Sequence, residues 1–403
     1  MKSSSRFTCW RLRYTFQPYV NSARSGASLR YLRVWNNGTM SGTPTAVVGA
    51  GIIGLSTALT LADRGHSVTV YDPAPARGAS HYAGGMLAPA SEVVYKQDPL
   101  LPLMQASASR YPELIALCRK YSDLPTGYRT EGTLVVARDR ADSTFLDDLL
   151  SYQHARGVHA QRLTVRQARA LEPALSPALS SAVLSSSDHQ VQPRLFTRAL
   201  VDACTNAGVS FIRELVTDVS HLPQEQVVIA AGHGAKDISG WGEGDKNPLQ
   251  LRPVYGDILH LRAPAHLHPL ATRVVRGVVE GRAIYVIPRE DATLTVGATS
   301  REDGRASAQA QGVYQLLRDA IEILPGIEDC DFVEAGAGAR PATPDDLPYL
   351  GRVSERVVVS TGYFRHGILL AALAARCAAE LVEKQKPCLD LSACDPMRHR
   401  RTQ

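Results

Sequence analysis

Residues 45–72 constrain the fold of this chain more than any other stretch. They read as an apolar strand, the glycine turn Gly49-Ala50-Gly51-Ile52-Ile53-Gly54, an apolar helix and a second strand that ends at Asp72. The first glycine allows a tight turn, the second lets the backbone approach a pyrophosphate, and the third lets the helix pack closely on the sheet. Asp72 is placed to accept hydrogen bonds from an adenosine ribose. The stretch therefore predicts a Rossmann-like, dinucleotide-binding α/β domain.

The charge of the chain gives no reason to expect nucleic acid as a partner. The net charge of +5 falls to −2 when the seven basic residues of the acid-free leader 1–44 are set aside. We expect this leader to be disordered or a mis-called start that precedes Met40, with an organelle targeting segment as the alternative. No apolar run reaches the roughly 18–20 residues of a membrane span, so no membrane partner is expected either.

Seven cysteines stand at positions 9, 118, 204, 330, 377, 388 and 394. Their number is odd, their spacing is wide and no CxxC pair or His cluster accompanies them. The pattern predicts neither a disulfide framework nor a metal site, and it favours a reducing, cytoplasmic setting.

The rest of the chain predicts a discontinuous cofactor domain with an α+β substrate domain inserted in two pieces. Helices are expected over 98–123, 193–206 and 368–382, and the buried strand at 226–231 runs into a glycine turn. Alternating apolar residues over 257–261, 283–288 and 294–299 predict a mostly antiparallel sheet. The predicted divisions are 45–90, 185–245 and 331–385 for the cofactor domain, 91–184 and 246–330 for the substrate domain, and 386–403 for a C-terminal tail.

Several further blocks carry a family resemblance. They read VVGAGIIGLS at 47–56, AGGMLAP at 83–89, LRPVYGDIL at 251–259, IYVIPR at 284–289, TLTVGATSREDG at 293–304, GARPATPDDLPYLGR at 338–352 and TGYFRHGILLA at 361–371. Over residues 44–385 the chain resembles the D-amino-acid oxidase family of FAD-dependent flavoenzymes, and within it the glycine oxidases that feed thiazole synthesis in thiamine formation.

The resemblance implies noncovalent FAD and a set of residues that hold it. A helix that begins at Gly367 would also stabilise negative charge on reduced flavin. The implied contacts are Gly49, Ala50, Gly51, Ile52, Ile53 and Gly54 at the pyrophosphate, Asp72 at the ribose, Val216 near the adenine, Ser80, His81, Gly84, Gly85 and Met86 along the flavin, and Tyr363, Phe364, Arg365, His366, Gly367, Ile368 and Leu369 closing over it.

On the substrate side, the resemblance implies catalytic roles for Arg340, Tyr285 and Arg365. A guanidinium can hold a carboxylate through two parallel hydrogen bonds, which would fix the substrate Cα–H bond over the flavin. On spacing alone, Arg340 and Arg365 could be solvated loop residues and Tyr285 a core residue. No general base is predicted, because hydride can pass from Cα of a neutral amine to flavin N5.

The chain departs from the family pattern at a few positions on the substrate side. Ala342 stands where the family usually has glycine after Arg-Pro, and Ser300 stands where an apolar residue is common. Ala283 replaces a histidine that some relatives carry, and His366 replaces the usual asparagine. These departures bear on which amine is preferred, and FAD binding is expected to be unaffected by them. Cys330 does not match the flavin-linking cysteine of related sarcosine oxidases, so a covalent flavin is not expected.

The resulting hypothesis is an oxidase of glycine or another small amino acid that reduces O2 to H2O2 and supplies an imine for thiazole formation. A sarcosine or D-amino-acid oxidase, or a dehydrogenase of the same family, is the close alternative. A flavin-binding protein without turnover and a nicotinamide dehydrogenase are alternatives from other classes. Relatives imply a homo-oligomer, a tetramer by resemblance.

Overall fold

The computed structural model describes residues 42–92, 97–241 and 247–400. The predictions for the leader up to residue 41 lie outside this part of the chain. The helices are α1 Ile52–Asp63, α2 Leu100–Tyr121, α3 Arg140–His154, α4 Val165–Leu171, α5 Pro193–Asn206, α6 Ala310–Ile323 and α7 Ala371–Val382. The strands are β1 Thr45–Val48, β2 Val68–Tyr71, β3 Met86–Leu87, β4 Thr133–Ala137, β5 Gln161–Leu163, β6 Ser181–Ser185, β7 His189–Gln190, β8 Ser210–Ile212, β9 Gln226–Ile229, β10 Arg252–Arg262, β11 Val274–Val279, β12 Arg282–Pro288, β13 Thr293–Gly297, β14 Asp331–Ala342, β15 Tyr349–Arg352 and β16 Val357–Thr361.

A six-stranded sheet forms the first layer, in the order β15-β16-β9-β1-β2-β8. All neighbours are parallel except β15 and β16. Its central strands β1, β9 and β16 are short runs buried on both faces, as parallel strands covered by other elements require, whereas the edge strand β8 is partly exposed. Val47, Val228 and Val358 point to the face covered by α1, α2, α5 and α7, while their sequence neighbours point to the opposite core. The predicted Rossmann-like sheet is confirmed.

An eight-stranded sheet forms the second layer, in the order β14-β10-β13-β12-β11-β4-β6-β5. It is antiparallel except between β11 and β4, which confirms the predicted mostly antiparallel sheet. The period of two divides β12 between two environments: Ile284 and Val286 pack towards α6, whereas Tyr285 and Ile287 face the other way. This second face lies against a cavity.

Two boundaries differ from the sequence prediction. Residues 331–342, placed by sequence in the cofactor domain, form β14 and pair with β10 over its whole length in the eight-stranded sheet. The predicted start of the last helix near Gly367 is wrong, because regular helix begins only at Ala371.

The late start of α7 is caused by hydrogen bonds from side chains of α2. The Ser107 hydroxyl donates to the Leu369 carbonyl at 2.6 Å and accepts from the Leu373 amide at 3.1 Å, so it stands between two groups that an extended helix would join directly. Tyr111 donates in the same way to the Ile368 carbonyl at 2.9 Å. Residues 367–370 therefore form a turn held by α2.

None of the helices in the described ranges is both long enough and apolar enough to cross a membrane.

Candidate active site

A cavity of about 780 Å³ carries most of the predicted site residues along its walls. Both sheets contribute to it, because its lining runs from the glycine turn after β1 to β12 and β14. The predicted residues that line it are Gly49, Gly51, Ile52, Ile53, Asp72, Ser80, Gly84, Gly85, Met86, Val216, Tyr285, Arg340, Tyr363, Phe364, Arg365, Gly367 and Ile368.

At one end of the cavity, the start of α1 offers free backbone donors. Gly49 has a φ of +105°, which favours glycine and lets the chain turn sharply out of β1. The Gly51 and Ile53 N–H groups have no hydrogen-bond partner among the described residues, and α1 has no side-chain cap. Ser80 Oγ accepts the Ile52 N–H at 3.0 Å. A helix start with free N–H groups of this kind attracts a phosphate group.

Asp72 lies beside this turn and braces it. Its Oδ2 accepts the Ala50 N–H at 2.7 Å and its Oδ1 accepts the Ala74 N–H at 2.7 Å. Each carboxylate oxygen has more than one acceptor position, so the carboxylate can also accept a ribose hydroxyl. The carboxylate thus has a structural contact that the sequence pattern did not reveal.

The predicted residues that do not line the cavity are Ala50, Gly54, His81, His366 and Leu369. Gly54 packs against the Gly49 carbonyl, where a Cβ would overlap the oxygen. His81 stacks edge-on against Tyr82 with ring centroids 5.1 Å apart. The side chains of His366 and Leu369 are buried, and Leu369 belongs to the core around α1 and α7.

At the other end of the cavity, Arg340 projects from β14 across Gly256 of β10. A Cβ at Gly256 would overlap the guanidinium, so the missing side chain provides the space that Arg340 occupies. Within the described ranges the guanidinium forms one hydrogen bond, from Nη1 to the Thr299 carbonyl at 3.2 Å, and no ion pair. Burial lowers the pKa of Arg340 from its ordinary value. A cation this short of partners is suited to bind a carboxylate.

Tyr285 lies on the cavity face of β12. Gly84 and Gly297 border its ring and hydroxyl so closely that a Cβ at either glycine would crowd them. The hydroxyl has no hydrogen-bond partner among the described residues, and burial raises the pKa of Tyr285. The phenol therefore stays neutral near pH 7 and is available as a donor.

Sequence reasoning missed an ion pair in the same cavity. Arg276 of β11 lies directly opposite Tyr285 in the sheet register, and its Nη1 is 2.9 Å from Glu92 Oε1. Glu92 Oε2 is 4.0 Å from His366 Nδ1, which is too far for a hydrogen bond, and it has no other partner in the described ranges. Burial lowers the pKa of His366 and favours a neutral ring. The alternation of side-chain directions along β11 could have indicated the position of Arg276. Glu92 lies outside every sequence motif, so no such signal existed for it.

Asp188 forms hydrogen bonds to the backbone of the segment that carries Glu92. This fully buried carboxylate accepts the N–H groups of Ala90 and Ser91, each at 3.2 Å. Burial raises the pKa of Asp188 to about 6. The two hydrogen bonds fix the backbone immediately before Glu92.

Arg365 is exposed at the rim of the cavity. Its Nη2 donates to Ser300 Oγ at 3.1 Å, so one departure from the family pattern contacts a predicted substrate residue. Arg365 also lies over the Phe364 ring, 5.2 Å from its centroid.

Comparison with known proteins identifies the family. Residues 45–381 match the DAO family, described as FAD dependent oxidoreductase. The chain belongs to this family. It is 32% identical to glycine oxidase of Geobacillus kaustophilus (strain HTA426), over 88% of this chain and 96% of that protein. The crystal structure of glycine oxidase from Geobacillus kaustophilus superimposes with a TM-score of 0.79 at 31% identity, covering 89% of this chain and 99% of that one.

A second relative has a larger architecture. The bifunctional protein ThiO/ThiG of Synechocystis sp. (strain ATCC 27184 / PCC 6803 / Kazusa) is 30% identical over 87% of this chain, which spans 53% of that protein. The matched family makes this chain an FAD-dependent oxidoreductase.

The residues present fit FAD. The free N–H groups of Gly51 and Ile53 are donors for a pyrophosphate, and the Asp72 carboxylate adjoins them. At the substrate end, the backbone N–H groups of Gly367 and Ile368, which line the cavity, form no hydrogen bond within the described ranges. They are donors that a flavin carbonyl edge can accept from, although they belong to a turn and not to a helix.

Proposed function

We propose that this enzyme oxidises glycine or another small amino acid and supplies the imine for the thiazole moiety of thiamine. One observation carries the proposal: a half-buried arginine without an anionic partner in the described ranges, Arg340, lines the same cavity as Tyr285, and this cavity begins at the dinucleotide turn. The glycine oxidase and ThiO/ThiG relatives support both the reaction and its metabolic use.

FAD, when bound, would supply the two-electron redox chemistry that couples oxidation of the amine to reduction of O2 to H2O2. Arg340 binds the substrate carboxylate with two parallel hydrogen bonds, which fixes the plane of the substrate. The Tyr285 hydroxyl donates a hydrogen bond to the same carboxylate. Glu92 Oε2, which has no partner among the described residues, accepts an N–H of the amine. Arg365 closes the rim of the cavity.

We further propose that the enzyme is a cytoplasmic homo-oligomer. The described cysteines are all free thiols, which supports a reducing compartment. Phe332 and Val333 are exposed on the edge strand β14, and such apolar edges are normally covered. Light scattering of the purified protein tests this assembly.

The function is tested by anaerobic stopped-flow absorbance of the FAD-loaded protein mixed with glycine, sarcosine or D-proline. We expect glycine to bleach the flavin band rapidly, and the ranking of the three amines gives the preference that the cavity imposes. A protein that binds FAD and is bleached by none of these amines would contradict the proposed oxidation while leaving the family assignment intact.

Glu92→Gln is expected to lower kcat/KM for glycine by about 10- to 100-fold, because a hydrogen bond to a charged group contributes roughly 1.5–3 kcal/mol. Acetate has the carboxylate without the amine, so its affinity should not weaken in this variant. Titration of the flavin absorbance with acetate and the rate of flavin bleaching by glycine provide the two measurements.

The exposed Glu328→Gln is the matched control for this charge change, and it should leave both quantities unchanged. Equal weakening of acetate and glycine in Glu92→Gln would show that Glu92 supports the cavity as a whole and does not bind the amine.

A further inference from the structure

Two cysteines lie close together, one within α7 and one in the segment that follows it. Cys377 is fully buried in the middle of α7, and Cys388 is half-buried in the segment that follows the helix. Their Sγ atoms are 3.7 Å apart, which is van der Waals contact between two reduced sulfurs. Eleven positions separate them in sequence, a spacing that gave no signal of a pair.

The backbone on each side of the pair is anchored. Glu380, one turn after Cys377, accepts the Cys388 N–H through Oε2 at 2.7 Å, and the Gln385 N–H donates to the Glu380 carbonyl at 2.8 Å. Cys388 and Leu389 also pack on the core around α1 and α7. The contact between the sulfurs is therefore built by the fold and does not depend on two free loops meeting.

We propose that hydrogen peroxide converts Cys377 and Cys388 into a disulfide, which makes this pair a peroxide-modified site. The half-buried Cys388 reacts first: its thiol loses a proton, the thiolate attacks one peroxide oxygen and the O–O bond breaks. Cys388 becomes a sulfenic acid, and the departing hydroxide takes up the released proton and leaves as water. The Cys377 sulfur then attacks the Cys388 sulfur, the S–O bond breaks, and a second water leaves. Two thiols are oxidised by two electrons, and one peroxide is reduced to two waters.

The order of the two steps follows from accessibility. Burial raises the pKa of the Cys377 thiol, which makes it a poor first nucleophile. A disulfide has an S–S distance of about 2.05 Å, so the sulfurs must approach by rotation of the side chains, starting from contact. The oxidant is the class of molecule that the proposed function releases, although the site reacts with peroxide from any source.

The same region contains three potential metal ligands. Ligand atoms of Cys377, Glu380 and Cys388 all lie within 4.8 Å of one another. Both Glu380 oxygens are already engaged, since Oε1 also accepts from Arg376 Nε at 2.9 Å. Structural zinc takes four ligands, and this group supplies three. The geometry therefore favours disulfide formation over metal binding.

The test exposes the full-length, FAD-loaded protein to hydrogen peroxide, then unfolds it, alkylates the free thiols and maps the peptides by mass spectrometry. We expect two fewer alkylated thiols, a cross-linked peptide pair that contains Cys377 and Cys388, and recovery of both thiols with dithiothreitol. The Cys330→Ser variant removes another half-buried thiol and should form the same cross-link.

Two single variants test the order of the steps. Cys377→Ser should leave a sulfenic acid on Cys388 that dimedone traps, and Cys388→Ser should leave Cys377 reduced. The proposal is overturned if Cys388 gains oxygen atoms in the wild type while Cys377 stays alkylatable, if peroxide consumes neither thiol, or if the purified protein holds zinc that protects both. None of these readouts depends on amine turnover, so the fate of the proposed function does not affect them.

Discussion

Arg340→Met is expected to reduce kcat/KM for glycine by about 10²- to 10³-fold. The wild-type guanidinium is half-buried, lies over Gly256 and has one carbonyl partner in the described ranges, so the proposed substrate carboxylate would be its main stabilising contact. Removal of one member of a buried charge pair costs roughly 2–5 kcal/mol, which gives a loss of this size. Methionine keeps most of the side-chain length and removes only the charged fork. Flavin reduction by glycine, followed anaerobically over a range of concentrations, measures the effect.

Two comparisons separate this role from a general disturbance of the fold. Arg262→Met removes an exposed arginine from β10, the strand paired with β14, and should leave the rate unchanged. A small primary amine without a carboxylate should react slowly but equally with wild type and Arg340→Met. A similar loss for amines with and without the carboxylate would rule out the carboxylate clamp.

Gly54→Ala is expected to yield a protein with little or no bound FAD. Alanine raises helix propensity by roughly 1 kcal/mol, but its Cβ would overlap the Gly49 carbonyl oxygen, and overpacking of this kind costs about 1–3 kcal/mol. The oxygen belongs to backbone and cannot rotate away. Relief of the overlap must move α1 from β1, which displaces the Gly51 and Ile53 N–H groups from the phosphate position. The flavin-to-protein absorbance ratio after purification gives the occupancy.

The control for this prediction is Ala62→Gly in the same helix. It weakens α1 by roughly 1 kcal/mol without any overlap, so flavin content should be retained. Full flavin occupancy in Gly54→Ala would show that α1 does not need its close approach to β1 in order to bind the dinucleotide.

The cofactor end was predictable because a local chain segment builds it. Gly49, Gly51 and Asp72 lie within one βαβ unit, so their spacing already fixes their relative positions. Arg340 and Tyr285 were predictable only through a family resemblance, since they lie on different strands and only the sheet register brings them into one cavity. The roles of these residues remain predictions.

Contacts between distant segments account for what the sequence did not reveal. The Glu92–Arg276 ion pair joins residues that are 184 positions apart. The start of α7 depends on the Ser107 hydroxyl of α2. The Ala/Leu-rich composition of 368–382 gives no indication of this contact. The assignment of β14 failed for the same reason, because its partner β10 lies far back in the chain.

The division of the cavity between two sheets has a consequence for how new specificities can arise. The dinucleotide turn belongs to the parallel sheet, whereas Arg340, Tyr285 and Arg276 project from the antiparallel one. Mutations on the cavity face of β10 to β14 can therefore explore other amines while the loading of the cofactor stays intact. For directed evolution this means that a library confined to those strands should contain mostly yellow, folded variants, and that colour can be used to discard the rest before any assay.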